Sequence, residues 1–190
     1  MTKIKIKPSY PIIKPIADRW SPRAFSNKSV SKEDLLSIFE AAKWAASCFN
    51  EQPWRFKVGF KGDDNYKRIF DTLGEFNQNW VKTAPVVVLI YAKRTFTRNG
   101  KANAHFWYDT GQAVGNLSTQ ASSMGLYLHQ MAGFDKERAE IDVINDEDYE
   151  AIAVMAMGYL GDVKQLPESL QQSEYAAQQR RSVEEFVSFD

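Results

Sequence analysis

The chain has 190 residues, the length of one domain able to bury its own core. Its 24 Lys+Arg balance 24 Asp+Glu, a formal net charge of +0, which gives neither the basic footprint of a nucleic-acid binder nor a patch drawn to membranes. A single cysteine excludes an internal disulfide, and one cysteine with two histidines has no metal-ligand spacing, so no metal is expected.

Residues 1–18 carry Pro8, Pro11 and Pro15, cannot hold a long helix and read as an extended arm. The opening MTKIKIKPSYPII has charge but no continuous apolar stretch and no small-residue cleavage site, so a cytoplasmic protein is the expectation. RWSPRAF follows, stiffened by Pro22. In an extended segment Arg19, Ser21 and Arg23 fall on one side by the period of two, which directs two guanidinium forks and a hydroxyl together and suits a phosphate. A solvated run of snorkelling arginines is the other reading of that row.

Ser31 caps a helix expected over residues 31–48, with Asp34 answering it and Leu35, Ile38, Phe39, Ala42 and Ala46 on one face. Ser47, Cys48, Asn50 and Gln52 then crowd polar groups into a loop closed by Pro53, before a strand over 55–60 in which Phe56, Val58 and Phe60 alternate. Such a helix-to-strand junction is a common ligand site; a capped turn with mutually satisfied side chains is an equal alternative. A helix near 64–73 precedes the apolar run PVVVLIYA, a buried strand over 85–92 that is far too short to span a bilayer.

The longest helix is expected over 104–124, with Phe106, Ala113, Val114, Leu117, Ala121 and Met124 on one face and Gly125 as its stop. Gly111, Gly115, Ser118 and Ser122 form a stripe of small residues that lets another backbone approach, from the same subunit or across a dimer. Asp135 starts a further helix bearing Ala139 and Val143, AIAVMAMGYLG (151–161) reads as a buried strand, and the Gln-rich 168–181 as a surface helix or arm. The plan is α+β, one domain over 1–190, with a central sheet flanked by helices.

RWSPRAF, AASCFNEQPWRF, FNQNWVKTAPVVVLI, DTGQAVGNLSTQASSMGLYLHQMAGFD and QQRRSVEEFV, in this order and over most of the chain, resemble the FMN-dependent nitroreductase family. The resemblance implies a three-layer α/β/α fold, a mainly antiparallel sheet, and extended terminal arms in an intertwined homodimer with FMN at the subunit boundary. By position it assigns the phosphate to Arg19, Ser21 and Arg180, with Trp20 between the first two. Arg23 matches the cation near flavin N1 and the C2 carbonyl, where it tunes the redox potential.

The same resemblance puts Met131, Ala132 and Gly133 in the loop along the flavin, where a Gly133 backbone N–H suits N5. Ser47 and Cys48 fall beside the ring, and Asn50, Gln52 and Asn77 serve its edge and the ribityl hydroxyls. NADH or NADPH would donate hydride and an electron-poor nitroaromatic or quinone accept it, in ping-pong fashion, with no nucleophile from the protein. Trp107, Phe106 and Phe49 are candidate walls of the reaction space, and His129 reads as a satisfied core histidine. Two positions depart from the family pattern: Ala46 stands where proline is usual, and Gln178 where a basic residue often stands. The alternatives are a flavin-binding member with one dedicated substrate or a flavin-handling role, and a Cys48-dependent hydrolase supported by His105 or His129.

Overall fold

In the computed structural model, which describes residues 3–189, the elements are α1 (Lys14–Asp18), α2 (Lys32–Lys43), β1 (Trp54–Phe60), α3 (Asp64–Phe70), α4 (Glu75–Val81), β2 (Val86–Lys93), α5 (Phe106–Ser123), β3 (Tyr127–Met131), α6 (Lys136–Arg138), β4 (Tyr149–Gly158) and α7 (Glu168–Tyr175). The four strands form one antiparallel sheet in the order β1-β2-β4-β3. The central strand β2 is apolar almost throughout because both of its faces are covered. Val87 and Leu89 pack with Ile69 and Trp80 of α3 and α4, whereas Val86, Val88 and Ile90 pack with Ile38 and Leu117 of α2 and α5. Period-two alternation along one strand therefore serves two cores and produces the three layers.

One irregularity shapes the site. Ile90 pairs with Ala153 and Tyr91 with Ala151, so Ile152 of β4 has no partner in the ladder. An extra residue of this kind re-aims its side chain, and Ile152 lines a groove beside α5.

Several boundaries differ from those the sequence suggests. The helix capped by Ser31, whose hydroxyl accepts from the Asp34 amide at 2.9 Å, ends at Lys43 and not near 48. The Trp44 and Ala45 amides bond to the Ala41 and Ala42 carbonyls, tightening and closing the last turn. The helix capped by Asp135 keeps regular geometry only to Arg138, then widens into a π-turn over Ala139–Ile144 and stops at Asn145, whose φ is 53°. Helix α4, which starts at Gly74 without a side-chain cap, and strand β3, whose His129 and Gln130 interrupt the apolar pattern, are not evident in the sequence. The N-terminal segment has no long helix, but Pro15 in the first turn nucleates the five-residue α1. Met1 and Thr2, the start of the expected arm, lie outside the described residues.

Candidate functional site

Arg19 closes α1 with extended backbone, and Phe25 pins the following segment. Phe25 is fully buried, bridges to Leu160 and stacks on Trp80 with ring centroids 6.5 Å apart, while Gly161 N–H donates to the Ala24 carbonyl. Between these anchors Arg19 Nη1 donates to Ser21 Oγ at 3.3 Å. The C-terminal segment is tied to the N-terminal one by Gln178 N–H to Ile4 O at 3.0 Å and Lys3 Nζ to Ser173 O at 2.8 Å. Together they enclose a cavity of about 490 Å³ lined by Lys3, Arg19, Trp20, Ser21 and Arg180.

Two guanidinium groups thus face one space from opposite ends of the chain. Their hydrogen-bond partners are Ser21 Oγ for Arg19 and Gln179 O for Arg180; among the described residues neither has a carboxylate partner. Burial first, and then the Arg180 charge, push Arg19 below its ordinary pKa, the sign of a cation held without a counter-ion. Convergent unneutralised guanidinium groups with a hydroxyl form an anion site.

Arg23 does not continue the row of Arg19 and Ser21. Its main-chain N–H donates to Glu174 Oε2 at 3.2 Å and its Nη1 lies 3.6 Å from Glu174 Oε1, which turns the side chain toward α7. The guanidinium lies 6.0 Å from the Trp80 ring centroid, and its Nε is buried with no hydrogen-bond partner.

Trp80, fully buried, organises the rest. Its indole N–H donates to Asn77 Oδ1 at 3.3 Å, and Asn77 Nδ2 donates to the Gly133 carbonyl at 2.9 Å. A Cβ on Gly133 would stand 2.8 Å from that Asn77 nitrogen, so a larger residue would make the Asn77 side chain shift. His129 packs against Trp80, the two ring centroids 4.7 Å apart. Of the loop residues beyond β3, Met131 is buried in the core and Ala132 and Gly133 are exposed.

The 47–52 loop lines neither the arginine cavity nor the groove beside α5. It satisfies part of itself: Gln52 N–H donates to Ser47 Oγ at 3.0 Å, and Gln52 Nε2 to Asn50 O at 3.3 Å. Phe49, Asn50 and Gln52 all have φ between 51° and 57°, left-handed backbone that is costly for a phenylalanine. Phe49 is held there by Phe96, edge-on at 5.8 Å, and by Arg98, 3.9 Å above its ring. Asp109 on α5 fixes the loop by accepting the Cys48 N–H at 2.9 Å. No imidazole is hydrogen-bonded to Cys48 among the described residues, and His129 Nδ1 lies instead against Pro22 O at 3.1 Å.

The groove beside α5, about 480 Å³, is lined by Arg19, Trp107, Gly111, Gly115, Gln130 and Ile152 among others, so Arg19 borders both spaces. A Cβ on Gly111 or Gly115 would meet nothing within 4 Å, so among the described residues no other segment packs on those glycines. Trp107 stands at the groove with its indole N–H on Glu150 Oε1 at 3.1 Å. Phe106 contacts Trp107, their ring centroids 6.3 Å apart.

Residues that the sequence does not single out carry much of this arrangement: Glu174, Trp80 and Asp109. Glu174 reaches Arg23, 151 positions away, only through the fold, whereas Trp80 meets Asn77 within helix α4. Asp109 is the one charged residue on the buried side of α5, and that charge in an apolar stripe is its only sequence signal.

Comparison with known proteins identifies the family and the fold. The nitroreductase family model matches residues 16–76 and 60–159. The major NAD(P)H-flavin oxidoreductase of Aliivibrio fischeri is 34% identical over 95 residues, 48% of this chain; the match spans 43% of that protein's length. The crystal structure of an oxidoreductase containing FMN superposes with a TM-score of 0.91 at 32% identity, covering 100% of this chain and 97% of that one. A nitroreductase family protein from Clostridium difficile 630 shares the fold, with a TM-score of 0.72 at 22% identity over 95% of this chain and 99% of its own. With a family match extending over most of its length, and its arginine segments brought to one cavity by that fold, this chain belongs to the nitroreductase family.

Proposed function

We propose that this protein binds FMN and passes reducing equivalents from NADH or NADPH to an electron-poor acceptor such as a nitroaromatic or quinone. The observation that carries this reading is the pair of uncompensated guanidinium groups, Arg19 and Arg180, at one cavity that meets the α5 groove at Arg19. Arg19, Ser21 and Arg180 fit a phosphate monoester, and the groove offers a flat, glycine-lined wall for a ring system. The relatives' names, an NAD(P)H-flavin oxidoreductase and an oxidoreductase containing FMN, support the same chemistry.

Bound FMN supplies hydride acceptance and donation at its N5. The chain's residues bind and orient. Arg23, held over Trp80 with a free Nε, places a permanent positive charge that favours the reduced cofactor. Met131, Ala132 and Gly133, with Asn77 bonded to the Gly133 carbonyl, form the fixed edge along the ring. Trp20, 9% exposed, backs the phosphate segment. The Ser47, Cys48, Asn50 and Gln52 loop, which lines neither space within one chain, would bring polar groups to the ring edge and ribityl chain across the subunit boundary of a homodimer. Donor and acceptor occupy the groove in turn, which makes the kinetics ping-pong.

A homodimer is part of the proposal. Ile4, Ile12, Phe186 and Phe189 on the terminal segments are 60%, 50%, 68% and 97% exposed, and a second copy is the natural cover for such arms. The same copy would wall the outer side of the groove over Gly111 and Gly115, leaving the ring space between the two subunits.

The test is the visible spectrum of the purified protein under anaerobic conditions. The proposal requires a flavin spectrum that bleaches with NADH or NADPH and recovers with a nitroaromatic or quinone. A flavin that resists both nucleotides would indicate a binding role without turnover. A colourless protein that takes up no FMN would refute the reading.

A further inference from the structure

Glu174 is the only acidic residue among the buried residues of α7, and it is 2% exposed. A carboxylate is rarely taken so far from water unless groups fixed around it repay the desolvation. Among the described residues its hydrogen-bonding partner is a single residue, 151 positions away in sequence. Arg23 gives it the main-chain N–H at 3.2 Å and the guanidinium Nη1 at 3.6 Å. Arg23 in turn lies between that carboxylate and the face of Trp80. Glu174 also stands six residues before Arg180, so α7 is clamped to the segment carrying Arg19 and Ser21 by the same contact.

We propose that Glu174 is a positioning residue that fixes Arg23 and offsets part of its charge, so that the Glu174–Arg23 pair, and not Arg23 alone, sets the reduction potential of the bound flavin. This rests on the FMN reading above. The physical reason is that reduction gathers negative charge on the flavin. An arginine whose charge is partly cancelled by a buried carboxylate stabilises that charge less than a bare one would. Burial already pushes the Glu174 carboxyl up from its ordinary pKa, while Arg23 and the Lys3 charge oppose that rise.

The test is spectroelectrochemistry on FMN-loaded protein, comparing wild type, Glu174→Gln, Arg23→Ala and the double variant. Glu174→Gln keeps an oxygen for the Arg23 N–H and removes the charge. The expected result is a rise in midpoint potential of ~30 mV, a tenfold shift toward reduced flavin for a two-electron couple. In the Arg23→Ala background the same substitution is expected to shift it by less, because no arginine charge is then left for the carboxylate to offset. An unchanged potential in Glu174→Gln, or an equal shift in both backgrounds, overturns the proposal. Should Glu174→Gln not fold, Glu174→Asp, which draws the charge away from Arg23, is expected to raise the potential by less; no rise overturns it. Protein that takes up no FMN sinks the preceding reading, whereas protein that binds FMN with an unmoved potential sinks this inference alone.

Discussion

Nδ1 of His129, on β3, lies 3.1 Å from the main-chain oxygen of Pro22, so the sheet holds the arginine segment at its proline. A carbonyl oxygen only accepts, so the neutral imidazole must carry its proton on Nδ1. Burial first, and then the Arg23 charge, lower the His129 pKa from 6.5 to about 4. The unfolded chain therefore takes up a proton below its ordinary pKa that the folded chain refuses. The folded state loses stability as pH falls from 6.5 toward about 4 and loses no more from this group below that. The full effect is about 3 kcal/mol. Denaturant unfolding of wild type and His129→Asn across that range should show the wild-type curve falling more steeply; parallel curves would contradict it.

Asp109 accepts the Cys48 N–H at 2.9 Å from a position only 3% exposed. Asp109→Ala leaves that donor without its acceptor and should cost about 1–3 kcal/mol. It should also loosen the 47–52 loop, so maleimide modification of Cys48 should become faster. Asp109→Asn, which keeps an oxygen in place, should lose less stability. An alkylation rate unchanged in the alanine variant would mean the loop is held by Phe96 and Arg98 through Phe49.

Gly161 sits against the arginine segment, where an added Cβ would lie 2.4 Å from both the carbonyl carbon and oxygen of Phe25. Backbone cannot move aside as a flexible side chain can. Gly161→Ala is expected to destabilise by about 1–3 kcal/mol, and, by displacing residues 19–25, to weaken FMN binding as well. Thermal unfolding and FMN titration of the same variant check both parts.

The parts of this architecture legible in the sequence are those set by local pattern. The β2 run and the Ser31 cap announce their elements because burial on two faces and an orphan helix amide act within a few residues. Arg19 and Ser21 could be named from their spacing and Arg180 only from the family resemblance, and the fold brings the three to one cavity. What stays hidden is set by distant pairing. Arg23 belongs by period two to the row of Arg19 and Ser21, yet Glu174, 151 positions away, turns it aside. Nothing within the Gln-rich stretch marks Glu174 as buried. Strand β3 is hidden because His129 and Gln130 face the arginine segment and the groove, so a polar pair interrupts an otherwise apolar strand.

The central claim is that segments near both chain ends recognise the phosphate of one nucleotide. The most direct measurement is calorimetric titration of apoprotein, wild type and Arg19→Ala, with FMN and with riboflavin, which lacks the phosphate. A charge-assisted contact contributes roughly 1.5–3 kcal/mol, so FMN affinity should fall about 10- to 100-fold in the variant while riboflavin affinity stays the same. Equal losses for the two ligands, or no loss for FMN, would contradict it.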